Sequence, residues 1–256
     1  DGMVTIMEDV PTDQILTLYQ KDAVPAGDPP AGRRVPSETW LEEITEQVRT
    51  GYRHRENYYN DFRREALIYR MLSTEGPRSC TGDVNGDGLE DLFVCGARGQ
   101  ASSLLLQQPD GSFEGSNQSL FALDSLTEDT DGALFDADGD GDLDLYVASG
   151  GNELPNISSN LADRLYLNNG RGTFSKSPQI LPAGRYESTG CVRAADYDND
   201  GYLDIYVDGD ERYLYRNNGD GTFTNRAKEA GITHSPPKPT TETLRLVLPS
   251  RLFFML

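Results

Sequence analysis

A nine-residue acidic pattern occurs three times in this chain and limits its fold more than any other feature. Asp83 to Asp91 reads D-V-N-G-D-G-L-E-D, Asp136 to Asp144 reads D-A-D-G-D-G-D-L-D, and Asp196 to Asp204 reads D-Y-D-N-D-G-Y-L-D. Each copy carries oxygen-bearing side chains at positions 1, 3, 5 and 9 and a glycine at position 6. Each is followed by a strand-like triplet: Leu92-Phe93-Val94, Leu145-Tyr146-Val147 and Ile205-Tyr206-Val207. A hard cation such as Ca2+ takes about six to eight oxygen ligands, and carboxylates on alternate residues of a tight turn converge on one point. In the middle copy those are Asp136, Asp138, Asp140 and Asp144, with the backbone carbonyl of Asp142 at position 7. The position-6 glycines, Gly88, Gly141 and Gly201, permit the positive φ of a sharp turn. Without a cation the clustered carboxylates repel one another, which raises their pKa values or opens the loop. The spacing therefore predicts calcium loops, each feeding a β-strand, with the ion a part of the fold.

Two competing readings of the pattern fare worse. An EF-hand opens in the same way but needs a glutamate at position 12 and a helix on each side; position 12 here is Val94, Val147 and Val207, at the end of a strand-like triplet. A single match of this kind is as easily an ordinary acidic turn, but three copies in register favour metal.

The copies define a repeat. From Asp83 to Asp136 is 53 residues and from Asp136 to Asp196 is 60, a period that suits one four-stranded sheet per unit. Each loop is followed at a distance by a turn and an aromatic: Q-P-D-G-S-F ending at Phe113, N-N-G-R-G-T-F ending at Phe174 and N-N-G-D-G-T-F ending at Phe223. With L-Y-L and L-Y-R ahead of the last two, these segments read as hairpins. Small antiparallel sheets of this kind cannot bury both faces alone, and radial stacking is the usual solution.

The rest of the chain reads differently. Two alternating runs, Val4 to Met7 and Ile15 to Tyr19, predict a hairpin or paired strands; the proline-rich residues 25–36 read as a linker; and Ser37 is a plausible N-cap for a helix carrying Trp40, Leu41, Ile44 and Val48 up to Gly51. A loop is expected to about Asn60 with a mixed segment after it, and the tail beyond Gly231 loses the acidic repeat character. The resulting division is 1–23, 24–51, 52–232 and 233–256.

The D-x-D-x-D-G-x-x-D loops with downstream G-T-F turns resemble FG-GAP or VCBS repeats, the units of integrin-type calcium-binding β-propellers. S-T-E-G-P, G-D-V-N-G-D-G-L-E-D-L-F-V, F-D-A-D-G-D-G-D-L-D-L-Y-V-A-S-G-G-N-E and D-R-L-Y-L-N-N-G-R-G-T-F are similar to bacterial relatives of cartilage acidic protein. The opening, D-G-M-V through V-P-T-D-Q-I-L-T-L-Y-Q-K-D-A, is similar to the end of the ASPIC/UnbV domain that accompanies such repeats. The resemblance implies a mainly β chain of propeller-type four-stranded repeats, partial or open, with a short N-terminal β remnant and a partly helical linker. It implies about three Ca2+ ions. The ligands it carries over are Asp83, Asn85, Asp87, Asp91 and the Leu89 carbonyl; Asp136, Asp138, Asp140, Asp144 and the Asp142 carbonyl; and Asp196, Asp198, Asp200, Asp204 and the Tyr202 carbonyl. Asn85 makes the first site one charge poorer and hence weaker. A closed propeller of this kind has about seven blades, against three visible units, so the chain is expected to be part of a longer multidomain protein or an incomplete propeller.

Charge narrows the partners. A net charge of -19 argues against nucleic acid or an anionic membrane surface, and no apolar run is long enough to span a membrane. The chain opens on Asp1 with no signal peptide in view, which leaves room for a removed leader. Three cysteines are too few for a disulfide framework; Cys80 and Cys95 bracket the first loop and are a candidate pair, with buried free thiols the default.

Two functions compete. The first is a non-catalytic calcium-stabilised module, secreted or exposed on the cell envelope, serving adhesion or recognition of a protein or carbohydrate. The second is a carbohydrate-active hydrolase or lyase using a carboxylate pair such as Asp129 with Glu128, or Glu153 near Asp163. Carboxylate pairs arise easily among 42 acidic residues, and no nucleophile-elbow, zinc-protease or phosphate-loop motif is present, which favours the first. His54 and Trp40 read as packing residues, and the sequons at Asn117 and Asn156 matter only in a eukaryotic secretory pathway.

Overall fold

A computed structural model describes residues 3–4, 24–25, 48–64, 66–68, 71, 73–74, 76–155, 158–179, 181 and 186–232. The chain divides into two compact units, Asp1–Ile44 and Thr45–Leu256. In the first, β1 (Met3–Val4) pairs antiparallel with β2 (Val24–Pro25). The partner of the Val4 strand is therefore a segment that the proline content assigns to the linker; a proline lacks the ladder N–H but is tolerated at a strand end. The run at 15–19, the helix from Ser37 with Trp40, and the tail beyond residue 232 lie outside the described residues, except that Val48 is helical.

The second unit is built from three four-stranded antiparallel meanders. The first holds β3 (Ser79–Gly82), β4 (Asp91–Val94), β5 (Ser103–Gln107) and β6 (Phe113–Ser116). The second holds β7 (Asp129–Phe135), β8 (Asp144–Ser149), β9 (Arg164–Leu167) and β10 (Ser175–Lys176). The third holds β11 (Thr189–Ala195), β12 (Asp204–Gly209), β13 (Arg212–Asn217) and β14 (Phe223–Asn225). Each acidic loop joins the first strand to the second, and each expected triplet lies in that second strand. The innermost strands β3, β7 and β11 lie side by side, the propeller-type arrangement, and among the described residues the sheets do not close into a ring.

Two cores lie between the sheets. Val84, Phe93, Leu104, Leu145, Tyr166 and Phe174 fill the space between the first and second. Phe135, Tyr146, Val192, Ile205, Tyr215 and Phe223 fill the space between the second and third. Phe174 and Phe223, the aromatics that close the G-T-F turns, thus plug into the preceding sheet. Helix α1 (Gln118–Phe121) adds Phe121, whose ring meets Phe93 and Tyr166 edge-on with centroids 5.5 and 5.4 Å apart.

Residues 52–60 are irregular, as expected, and lead into a 3-10 turn at Asp61–Arg63. They cross the ends of the first two sheets: Tyr52 Oη donates to the Cys95 carbonyl, and Arg64 Nη1 donates to the Asn152 and Leu154 carbonyls. His54 is held by Tyr52 and Glu56, a packing role. The three cysteines are free, and burial pushes the Cys80 thiol up to about 12. Asn117 is no open glycan acceptor: its side chain bonds the Gly172 carbonyl and the Phe174 N–H across sheets.

Candidate metal centres in the acidic loops

The three loops share one hydrogen-bond plan. The position-1 carboxylate turns inward and accepts from the position-6 glycine: Gly88 N to Asp83 at 2.8 Å, Gly141 N to Asp136 at 3.0 Å and Gly201 N to Asp196 at 3.0 Å. Those glycines have φ of +85°, +92° and +94°, the left-handed turn their position requires. The position-5 carboxylates, Asp87, Asp140 and Asp200, accept from the N–H groups of Leu89, Asp142 and Tyr202 at position 7.

Position 9 does more than the spacing suggests. Asp91 accepts from Val84 N at 3.0 Å and from Gln107 N, at the end of β5, at 2.8 Å. Asp144 binds Ala137 N and Asn168 N, and Asp204 binds Tyr197 N and Asn217 N, in the same way. This buried carboxylate staples the loop to the third strand of its own sheet. Its place at the head of the second strand in every copy was the available signal.

Asp136, Asp138 and Asp144 each bring a carboxylate oxygen within 4.8 Å of the other two, and Asp196, Asp198 and Asp204 do the same. Asp140 and Asp200 stand outside these trios. In the first loop position 3 is Asn85, whose Nδ2 donates to Asp87 at 3.0 Å, so the matching trio holds two carboxylates and an amide.

The middle loop is the most charged, with aspartates at positions 1, 3, 5, 7 and 9. Burial, with Asp140, Asp138 and Asp136 adding to it, pushes Asp142 up to about 6. Burial also pushes Asp144 up to about 6, against the opposing hydrogen bonds from Asn168 and Ala137. The Asp142 Oδ1 atom is buried without a partner. In the first loop burial pushes Asp83 upward, but four backbone N–H groups overcome it and hold the carboxyl below the usual range. An all-oxygen donor set with an orphaned carboxylate oxygen fits a hard cation such as Ca2+.

The hairpin turns of the second and third sheets lie against the loop of the sheet before. A Cβ on Gly172 would sit 3.3 Å from the Asn85 Cβ, and one on Gly221 would sit 3.3 Å from the Asp138 Cβ. Asn168 Nδ2 adds a 2.7 Å bond to the Val84 carbonyl of the first loop. In the third loop the neighbour is instead Arg216, whose Nε lies 2.7 Å from Asp198 and Nη2 2.5 Å from Asp200.

The carboxylates weighed for catalysis lie elsewhere. Asp129 is buried against Arg164, Ser102 and Thr127. Asp163 is buried and bonded to Tyr146 Oη, Ser149 N and Thr189 Oγ1. Glu153 takes both Asn57 Nδ2 contacts at 2.8 Å. Glu128 accepts from Arg98 N at 2.7 Å, and burial pushes its carboxyl up to about 7, with the Arg98 N–H opposing and Glu56 and Glu153 adding.

The FG-GAP-like repeat family matches residues 83–147 and, overlapping, 136–207. Each match runs from the start of one acidic loop into the strand that follows the next. No curated protein matches the chain. Among the described residues no helix is long and apolar enough to cross a membrane.

Proposed function

We propose that this chain is a calcium-binding, non-catalytic repeat module of the cell exterior or envelope that serves adhesion or recognition of a protein or carbohydrate partner. The observation that carries this reading is the middle loop, where three carboxylates converge and a fourth is left with a buried oxygen unpartnered. Asp136, Asp138, Asp140, Asp142 and Asp144 would hold one ion, and the corresponding residues of the other loops one each. Bound Ca2+ supplies positive charge that neutralises the loop, and its binding free energy adds to folding. The acidic surface suits a calcium-rich exterior and disfavours nucleic acid. The overlapping repeat matches support the same reading, since FG-GAP repeats are typical of extracellular proteins.

The test is a thermal melt of the full chain in excess Ca2+ and in excess chelator, with a count of bound metal. A clear rise in midpoint with about three ions at saturation is expected. No shift and no bound metal would return the loops to ordinary acidic turns. The second reading, a carbohydrate-active enzyme, draws on Glu128 beside Glu153; glycan cleavage by the wild type that Glu128→Gln abolishes would replace the first reading with it.

A further inference from the structure

At the third loop the strand residue that faces the carboxylates changes, and the hydrogen bonds align the repeats without ambiguity. Gln107, Asn168 and Asn217 are equivalent, because each gives its N–H to the position-9 aspartate of its own sheet. The residues just before them are therefore equivalent too: Leu106, Leu167 and Arg216. Leu106 joins the core between the first two sheets, and Leu167 joins the next. Both leucines lie beside the following hairpin, Leu106 near Gly172 and Leu167 near Gly221, the glycines that also cover Asn85 and Asp138 at loop position 3. At the third repeat the cation replaces both partners at once. Arg216 leaves the leucine's role and covers Asp198 at position 3, reaching Asp200 at position 5 with its other arm. Among the described residues no other loop carboxylate of the three repeats is ion-paired to a Lys or Arg.

We infer that Arg216 is a tethered counter-ion that regulates the third loop, competing with the metal for Asp198 and Asp200. This deepens, and rests on, the calcium-loop reading. The guanidinium fork fits two carboxylates at fixed geometry. The third loop consequently keeps its closed form without metal, whereas the middle loop, with aspartate also at position 7 and no cation beside it, depends on the ion. Calcium entering the third loop must displace Arg216 from at least one carboxylate and then sit beside a positive charge. The third site is the last to fill as calcium rises, which gives the module a graded response.

Calorimetric titration of Ca2+ into the chelator-treated full chain tests this in the wild type, Arg216→Leu and Arg216→Leu with Asp196→Ala, alongside melts of each. The wild type is expected to bind its last ion most weakly, below even the first loop with its Asn85, and Arg216→Leu to tighten that weakest site about tenfold by removing the neighbouring charge. The added Asp196→Ala change should abolish the tightened site. Arg216→Leu should also melt lower than wild type in chelator, where the loop carboxylates are left unpaired, yet gain more from calcium; a purely structural arginine would lower both melts alike. Tight calcium binding in the wild type that Arg216→Leu leaves unchanged at every site overturns the role of Arg216 alone. Absence of calcium binding in all the proteins overturns the calcium-loop reading and this inference with it.

Discussion

Gly221 lies directly beneath Asp138, so close that a Cβ on the glycine would stand 3.3 Å from the aspartate Cβ, and its φ is +75°. The hairpin turn of the third repeat is thereby a wall of the middle acidic loop, and a side chain at residue 221 acts on Asp138, more than 80 positions upstream.

Gly221→Ala is expected to cost about 1–2 kcal/mol from the left-handed backbone alone, and in addition to weaken calcium binding in the middle loop by shifting Asp138. Gly111 is the control. It holds the equivalent turn position in the first repeat with φ +81°, and nothing lies within 4 Å of its Cβ. Gly111→Ala should lower the melting midpoint and leave calcium affinity intact. Equal effects of both substitutions on calcium affinity would show that the wall plays no part.

Position 9 of the loops can be separated from metal chemistry in the same manner. Asp91 uses both oxygens on backbone N–H groups of Val84 and Gln107 and is fully buried. Asp91→Asn puts an amide group where one N–H needs an acceptor, at a cost of about 2–3 kcal/mol. The loss should appear as a lower urea midpoint in chelator, where no ion contributes. A variant as stable as wild type in chelator, and weaker only in calcium, would make Asp91 a ligand with no structural share.

Much of this was legible in the chain itself. The acidic loops, the strand after each and the hairpins before Phe174 and Phe223 follow from local spacing, because a tight turn and a strand are decided within a few residues. What could not be read were contacts between repeats. The second glycine of N-N-G-x-G-T-F is turn chemistry, with φ of +70° and +75°, but its contact with Asn85 or Asp138 of the neighbouring loop has no trace in the local pattern. Position 9 looked like one more ligand, since the N–H groups it binds belong to a strand some 13 to 24 residues further on. Arg216 looked like an ordinary strand residue, and only the pairing of β12 with β13 brings it over Asp198 and Asp200. The strand at Val24–Pro25 leaves no signal because two residues beside a proline-rich stretch carry no periodicity.

The middle loop also predicts a pH dependence. Asp142 and Asp144 are pushed up to about 6 from an ordinary value of 3.8, so the folded chain holds protons there that the unfolded chain has released. Without calcium, their contribution to stability is present below about pH 4 and is lost as pH rises through about 6. Glu128 and Asp163, both pushed up to about 7, act in the same direction but lie outside the loops and do not depend on calcium. The difference in melting midpoint between calcium and chelator isolates the loops, and it should grow from about pH 5 to about pH 7. Asp142→Asn should flatten that growth. A calcium effect of constant size across this range would mean that the loop carboxylates do not titrate as described.

Arg164 decides how the carboxylates of the second sheet are used. Its guanidinium is buried, paired with Asp129, and donates to Thr127 Oγ1 and Ser149 Oγ, each at 3.0 Å. Asp129 in turn accepts from Thr127 and Ser102, so both of its oxygens are engaged within the network, while the buried Arg164 Nε has no hydrogen-bond partner among the described residues. Arg164→Met removes the cation and leaves a buried carboxylate facing only hydroxyls, at an expected cost of about 3–5 kcal/mol. The double variant with Asp129→Leu should recover much of that loss, because replacing both members of a buried pair by apolar side chains is often close to neutral. Recovery in a denaturant titration would fix Asp129 as structural and remove it from the list of catalytic acids. A double variant no more stable than Arg164→Met would instead show that the Asp129 carboxylate stabilises its surroundings independently of the arginine, through Ser102 and Thr127.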